Sequence, residues 1–211
     1  KPCVINLSLG DYYGSHDGLD LEAQLINNMM NAQPGRLVVA AAGNIGNDSI
    51  HVQTNLNTGD TLWTWYKYDP AFQICYIELW ADDADMQNMQ FAIGCDSNQI
   101  SASFIGRTQY FDFMSVYWNL KKYVVANTSD TVLVYGDSYG GRSEIMFEIH
   151  TTDPSRLWRL ISTGNGTHDV WHIQYSVYKS GVIKTNLPPS TIVPEIVDYV
   201  MRSEEHTSEL Q

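Results

Sequence analysis

The chain has 211 residues, 44% of them hydrophobic, and carries 12 Lys and Arg against 24 Asp and Glu, a formal net charge of −12. That hydrophobic fraction suits a folded chain, and the acidity excludes a nucleic-acid partner, whose phosphates demand clustered Lys and Arg. No apolar run approaches the roughly 20 residues of a membrane helix, so no membrane span is expected, and Cys3, Cys75 and Cys95 lack the spacing of a zinc site or a disulfide framework.

Residues 1–51 read as strand, helix, strand. Val4-Ile5-Asn6-Leu7-Ser8-Leu9 is β-like and runs into Gly10. After a polar loop, Leu21, Leu25, Ile26, Met29 and Met30 recur at spacings of three and four, which lays one apolar stripe along a helix. Asp20 stands at its start, where a carboxylate caps free N–H groups, and Pro34-Gly35 ends it. The apolar run from Arg36 to Ala42 predicts a strand buried on both faces of a parallel sheet. About fifty residues cannot bury a stable core alone, so this unit needs further sheet.

Residues 52–187 have another texture. Short alternating segments follow one another at 61–68, 73–80, 89–93, 99–105, 110–117, 123–126, 131–135, 144–150, 157–162 and 170–177. Turn residues separate them, among them Asp82-Asp83 and Gly164-Asn165-Gly166, and no amphipathic helix is legible. Many short strands at this spacing predict an inserted antiparallel β-sandwich or jelly roll. Residues 188–201 read as a return to the first domain. Residues 202–211, Arg-Ser-Glu-Glu-His-Thr-Ser-Glu-Leu-Gln, resemble the in-frame translation of a sequencing adapter and are expected to lie outside the fold.

Two segments carry a resemblance: Val4-Ile5-Asn6-Leu7-Ser8-Leu9-Gly10, and Val38-Val39-Ala40-Ala41-Ala42-Gly43-Asn44, with a helix between them. Together they resemble the subtilisin-like serine peptidase family, where a strand ending S-L-G precedes a helix and a second strand ends A-A-G-N. Gly14-Ser15-His16-Asp17-Gly18 and His51 are similar to a bacterial branch, the clostridial germination-type subtilases, which carries an inserted jelly roll. The resemblance implies a fold that is α/β plus all-β: a partial parallel α/β sheet interrupted by an antiparallel β-sandwich. It implies a polypeptide substrate, with Asn44 donating its side-chain amide to the oxyanion and Ser8, Leu9, Gly10, Ala41, Ala42 and Gly43 lining the substrate. The family's Asp and His motifs would precede residue 1 and its Ser motif would follow residue 201, so the chain alone is expected to be inactive. No cofactor is expected; calcium, known in the family, is not identifiable here. Secretion or a cell-envelope location is implied by the resemblance alone.

Three strings imitate catalytic motifs. Gly136-Asp137-Ser138-Tyr139-Gly140 has the G-x-S-x-G form, but alternation after it reads as strand, where a nucleophile elbow needs a helix. Asn165-Gly166-Thr167-His168 puts Asn where a catalytic His would stand, and reads as a turn. Asp82, Asp83 and Asp85 lack the Gly and distal Glu of a calcium loop and read as an acidic turn. His150, His168 and His172 show no zinc spacing, and His16 is given no catalytic role. Trp158 and Trp171 read as sandwich core, with a sugar platform as the alternative. Two other functions stay open at this level: a non-catalytic β-sandwich binding carbohydrate or protein, and a pseudoprotease whose triad is lost.

Overall fold

The computed structural model describes residues 2–8, 13–41, 51–66, 74–97, 103–172 and the backbone of 182–184. Cys3–Leu7 forms strand β1, Leu21–Asn31 forms helix α1 and Arg36–Ala40 forms strand β2. The two strands pair in parallel, Cys3 opposite Arg36 through Leu7 opposite Ala40. Asp20 caps α1, its Oδ1 accepting from the Ala23 N–H at 2.8 Å. Satisfying a free N–H this way stabilises a helix by about 1 kcal/mol.

The apolar run in β2 predicted a strand buried on both faces, yet Val39 is 47% exposed and α1 buries none of its residues. A parallel strand is buried only when strands flank it and helices cover both its faces. Among the described residues β1 and β2 form a two-stranded sheet. The expected subtilisin-like parallel α/β sheet is therefore corrected. The described chain is predominantly antiparallel β, and parallel strand pairing is confined to these two short strands.

The remaining strands are β3 (His51–Tyr66), β4 (Ile74–Asp82), β5 (Met89–Asp96), β6 (Phe104–Arg107), β7 (Phe111–Asp112), β8 (Lys121–Val124), β9 (Thr131–Tyr139), β10 (Arg142–His150), β11 (Leu157–His172) and β12 (Val182–Lys184). Among the described residues they make one ten-stranded sheet. Along one edge β11 pairs with β3; along the other, its C-terminal end pairs with β4 and its N-terminal half with β5. The sheet thus divides into two wings. One is β4–β10–β9–β8; the other is β5 with β6 and β7. The expected pair of separate sheets is a single sheet curled on itself.

One predicted turn is not a turn. Gly164-Asn165-Gly166 lies inside the sixteen residues of β11, where the pairing with β3 slips at a bulge. Gly and Asn serve turns and bulges alike, so their run in the sequence does not tell the two apart. Gly164 and Gly166 have φ of +124° and +146°, which only glycine adopts freely. The turn after β4 fixes the bulge: Asn165 N–H donates to Asn88 O at 3.2 Å and Thr167 N–H to Asp85 Oδ2 at 3.0 Å. A second difference lies at 110–117, predicted as strand. It splits into β7 and a one-turn helix, α3 (Phe113–Val116), because Asp112 Oδ1 accepts from the Ser115 N–H at 2.8 Å. A like one-turn helix, α2 (Asp83–Met86), follows β4.

The core lies between the wings. Phe91 on β5 and Phe111 on β7 meet Phe147 on β10 and Tyr123 on β8, with Phe111 6.0 Å from Phe147 and 4.9 Å from Tyr123 by ring centroids. Leu79, Ile145, Ile149, Val132, Val134, Ile93 and Trp158, all fully buried, belong to the same core. Even the second face of β5 and β11 is buried, with Ala92 and Ile161 packed against Trp63. There Arg159 makes a bidentate ion pair with Asp96, and Trp65 Nε1 donates to the same carboxylate at 2.9 Å. A buried pair of this kind contributes little net stability when intact, but losing one partner costs about 3–5 kcal/mol.

Gly164 tests the bulge. A Cβ there would collide with the Asn88 carbonyl, whereas one at Gly59, also at positive φ, meets open space. Gly164→Ala should lower unfolding free energy by about 2–3 kcal/mol more than Gly59→Ala does. Equal urea midpoints for the two variants would contradict the bulge.

Candidate functional site

Two places carry the predicted or observed polar chemistry. The first is the end of the parallel pair. The Ala41 N–H donates to Leu7 O at 3.0 Å, so Ser8 and Ala41 leave the two strands side by side, both exposed. The C-terminal ends of parallel strands are where such sheets present backbone and following loops to ligands. Leu9, Gly10, Ala42, Gly43 and Asn44 follow directly in the chain and lie outside the described residues.

The second is the outer face of β11, β4, β10 and β9. Residues opposite each other in neighbouring strands share a face, so the register sets out three rows. Trp171, Glu78, Met146 and Tyr135 form one; Asp169, Trp80, Glu144 and Asp137 form the next; Asp82, Arg142 and Tyr139 form the third. Residues 13–20, between β1 and α1, dock on the β11–β4–β10 part of this face. Gly14 N–H donates to Glu78 Oε2 at 3.0 Å, and Asp17 Oδ2 lies 2.9 Å from Arg142 Nε. His16, in a left-handed conformation, stacks on Trp171 at 3.6 Å. Ser15 links Asp17 and Asp20 and so joins this docking to the cap of α1.

Arg142 holds the electrostatics of the seat together. Its guanidinium is 2.9 Å from both Asp17 and Asp82 and 3.8 Å from Asp169. His51 Nε2 meets Asp169 Oδ1 at 2.9 Å and stacks on the other face of Trp171 at 4.1 Å. Burial pushes the Asp169 carboxyl up, but the hydrogen bonds from His51 and Gln53 and the charge of Arg142 win, holding it below its ordinary value. The opposite holds for Glu144. Burial, then the charge and hydrogen bond of Glu78, then Asp137 and Glu22 of α1, push it up to about 8. The raised value favours a proton held between Glu144 and Glu78, which also accepts from Gly14. No motif in the sequence singles out Arg142 or Glu144. A signal was present in the lone Arg after Gly140-Gly141, in a chain with twice as many acids as bases.

The imitators of catalytic motifs take structural parts. Ser138 Oγ and Ser143 Oγ both donate to Asp83 Oδ1, at 2.9 and 2.6 Å, which pins α2 to the β9–β10 hairpin. Asp82 serves Arg142 and Asp85 serves the bulge, and among the described residues no three His, Cys, Asp or Glu group to hold a metal. His168 Nε2 and Ser162 Oγ lie 3.0 Å apart, the chemistry of a base and a nucleophile. Both are buried beside Phe91, and burial drives the His168 pKa down to about 4, so the pair has no access to substrate. Trp158 is fully buried and Trp171 lies between two His rings, so neither is a sugar platform. His172 has no described side chain. Among the described residues no helix is long and apolar enough to cross a membrane.

The chain is similar in fold to the CspB protease of Clostridium perfringens, with a TM-score of 0.59 and 20% sequence identity. The likeness covers 82% of this chain and 36% of that one, so the chain spans about a third of the neighbour's length. No family model and no curated protein matches the chain. The membership of the subtilisin-like family expected from S-L-G and A-A-G-N is therefore corrected. Two short strand-end motifs are too little sequence to define a family, and a likeness at 20% identity shows the fold alone. That fold is one found in a protease.

Glu144 gives the seat a pH dependence of known sign. Folding raises its carboxyl from 4.5 to about 8, so the folded chain keeps a proton that the unfolded chain releases. The contribution is complete below pH 4.5 and is lost as pH rises to about 8. His168, held neutral by burial, acts in the opposite sense and is common to both proteins in a comparison with Glu144→Gln. The difference in urea midpoint between wild type and Glu144→Gln should shift in favour of the variant across that window. Parallel profiles would remove the shared proton.

Proposed function

We propose that the protein containing this chain hydrolyses peptide bonds by serine-type chemistry, and that the chain supplies substrate-lining strands and an oxyanion donor. What supports the reading is the in-register end of β1 and β2. The Ala41 N–H donates to Leu7 O, and the S-L-G and A-A-G-N segments follow from those two neighbouring strand ends. The fold shared with a protease agrees with it.

In this reading an extended peptide lies along Ser8-Leu9-Gly10 and meets backbone N–H and C=O groups in the manner of an added strand. Ala41, Ala42 and Gly43 wall the other side, where small side chains leave room for a substrate side chain. Asn44 donates its side-chain amide to the oxygen that becomes negative as the scissile carbonyl turns tetrahedral. A fixed amide dipole out of water costs no reorganisation at that moment, and such a donor is worth about 3–4 kcal/mol of barrier. The nucleophile and its base come from the rest of the protein. Amide and backbone groups do this work unaided, so the proposed chemistry draws on no cofactor.

In the longer protein, Asn44→Ala should lower kcat by about a hundred- to a thousand-fold with KM nearly unchanged, because the lost interaction exists only in the transition state. Steady-state hydrolysis of a peptide ester or amide measures both constants. An unchanged kcat removes Asn44 from the site, and a longer protein that cleaves no polypeptide removes the function.

A further inference from the structure

The seat for residues 13–20 covers only part of the outer face. Among the described residues the β9 side stays open, and it is aromatic. Trp118 is 66% exposed and Tyr139 is 44% exposed. Tyr117 and Tyr135 stand nearly perpendicular to the Trp118 ring, at 6.3 and 6.5 Å between centroids. Burying that indole would be favourable, so its exposure needs a reason.

The backbone gives one. Trp118 has φ of +51°, a left-handed conformation in which a bulky residue is a genuine outlier. Strain of this kind persists only where the surroundings over-determine it, and it collects at sites that bind. Here the surroundings do so. Trp118 N–H donates to Gly136 O at 2.9 Å, Tyr117 bridges to Gly136, and Asn119 N–H closes on Val116 O at 3.0 Å. Gly136 lets the two elements approach closely, since a Cβ would lie only 3.0 Å from Phe113 and 3.2 Å from Val116, the two buried residues of α3. The fold thus carries α3 onto β9 and fixes the backbone from which the exposed indole projects.

Hydrogen-bonding groups stand beside the rings. Asp137 follows Tyr135 by two residues on the same face, and Glu144 lies directly opposite Asp137 on β10. Desolvation first, then the charges of Asp137 and Glu144, hold the Tyr135 phenol above its ordinary value. An exposed aromatic surface beside carboxyl acceptors matches one ligand chemistry. The flat C–H face of a pyranose lies on the indole, and its equatorial hydroxyls donate to the carboxylate.

We infer that the open half of the outer face, built on Trp118, Tyr117, Tyr135 and Asp137, is a glycan-binding site for β-1,4-linked pyranose chains. The site is independent of the proposed peptidase chemistry, since it shares no residue with the ends of β1 and β2.

Titration of the full 211-residue chain with chitohexaose, cellohexaose and xylohexaose, followed by indole fluorescence and calorimetry, tests it. At least one hexasaccharide should bind. Trp118→Gly, which removes the ring and relieves the left-handed strain, should fold with an unchanged or raised Tm and weaken that binding by at least about ten-fold. Trp118→Tyr should retain most of it. Should the glycine variant fail to fold, Asp137→Ala provides the second reading and should also weaken binding. No hexasaccharide bound by the wild type overturns the site, as does a folded Trp118→Gly that binds like wild type. Binding of a polypeptide such as casein in place of every glycan would make the surface a protein interface and likewise overturn it.

Discussion

Strand β11 hydrogen-bonds to β3 along one edge and divides its other edge between β4 and β5, and the rest of the sheet takes its position from that division. A single strand cannot serve two neighbours on one edge without a local change of direction. The bulge at Gly164 and Gly166 supplies it. The two glycines accept φ values closed to other residues, and the turn after β4 holds them through Asn88 and Asp85. With β4 and β5 sent apart, their wings turn face to face and enclose Phe91, Phe111, Phe147 and Tyr123. Apolar burial then stabilises the curl, each of these rings contributing about 1.5–3 kcal/mol.

The same strand positions the docking of the first unit. Asp169 and Trp171 come from its C-terminal end, and the β4 pairing there brings Glu78 and Trp80 beside them. Residues 13–20 read this surface through charge and stacking rather than through apolar burial. Arg142 is shared by three carboxylates, Glu144 and Glu78 share a proton, and two His rings clasp Trp171. The unit of β1, α1 and β2 buries little of its own apolar surface. Its attachment therefore rests on interactions that respond to pH and salt more than the core does.

Much of the local structure was legible in the sequence, and the departures have physical causes. The helix is present at Leu21–Asn31, where spacings of three and four residues laid out its stripe and Asp20 its cap. Alternation located most strands, because a strand with one face in the core writes its period directly into the chain. The β2 run misled, since continuous apolar sequence states what a strand can bury and not what neighbours it has. Gly164-Asn165-Gly166 misled because glycine marks unusual backbone without saying whether the chain reverses there. Ser138 and the Asp82–Asp85 acids look catalytic or metal-binding in one dimension. In three dimensions each has a partner that makes it structural. Arg142 was unreadable for the converse reason: its partners Asp17, Asp82 and Asp169 come from distant points in the chain. Asn44 and its neighbours in the A-A-G-N segment carried the functional expectation and lie outside the described residues, so the candidate site was legible as motif rather than as geometry.

The continuity of β11 is the claim on which the curl, the core and the docking seat all stand. Amide hydrogen exchange across 157–172 tests it directly. In a continuous bulged strand the amides of Asn165 and Thr167 are bonded to Asn88 and Asp85, and they should exchange in the same slow class as Leu160 and Val170. Fast exchange at Asn165 and Thr167, between two slow segments, would instead describe two strands joined by a turn and would contradict the account.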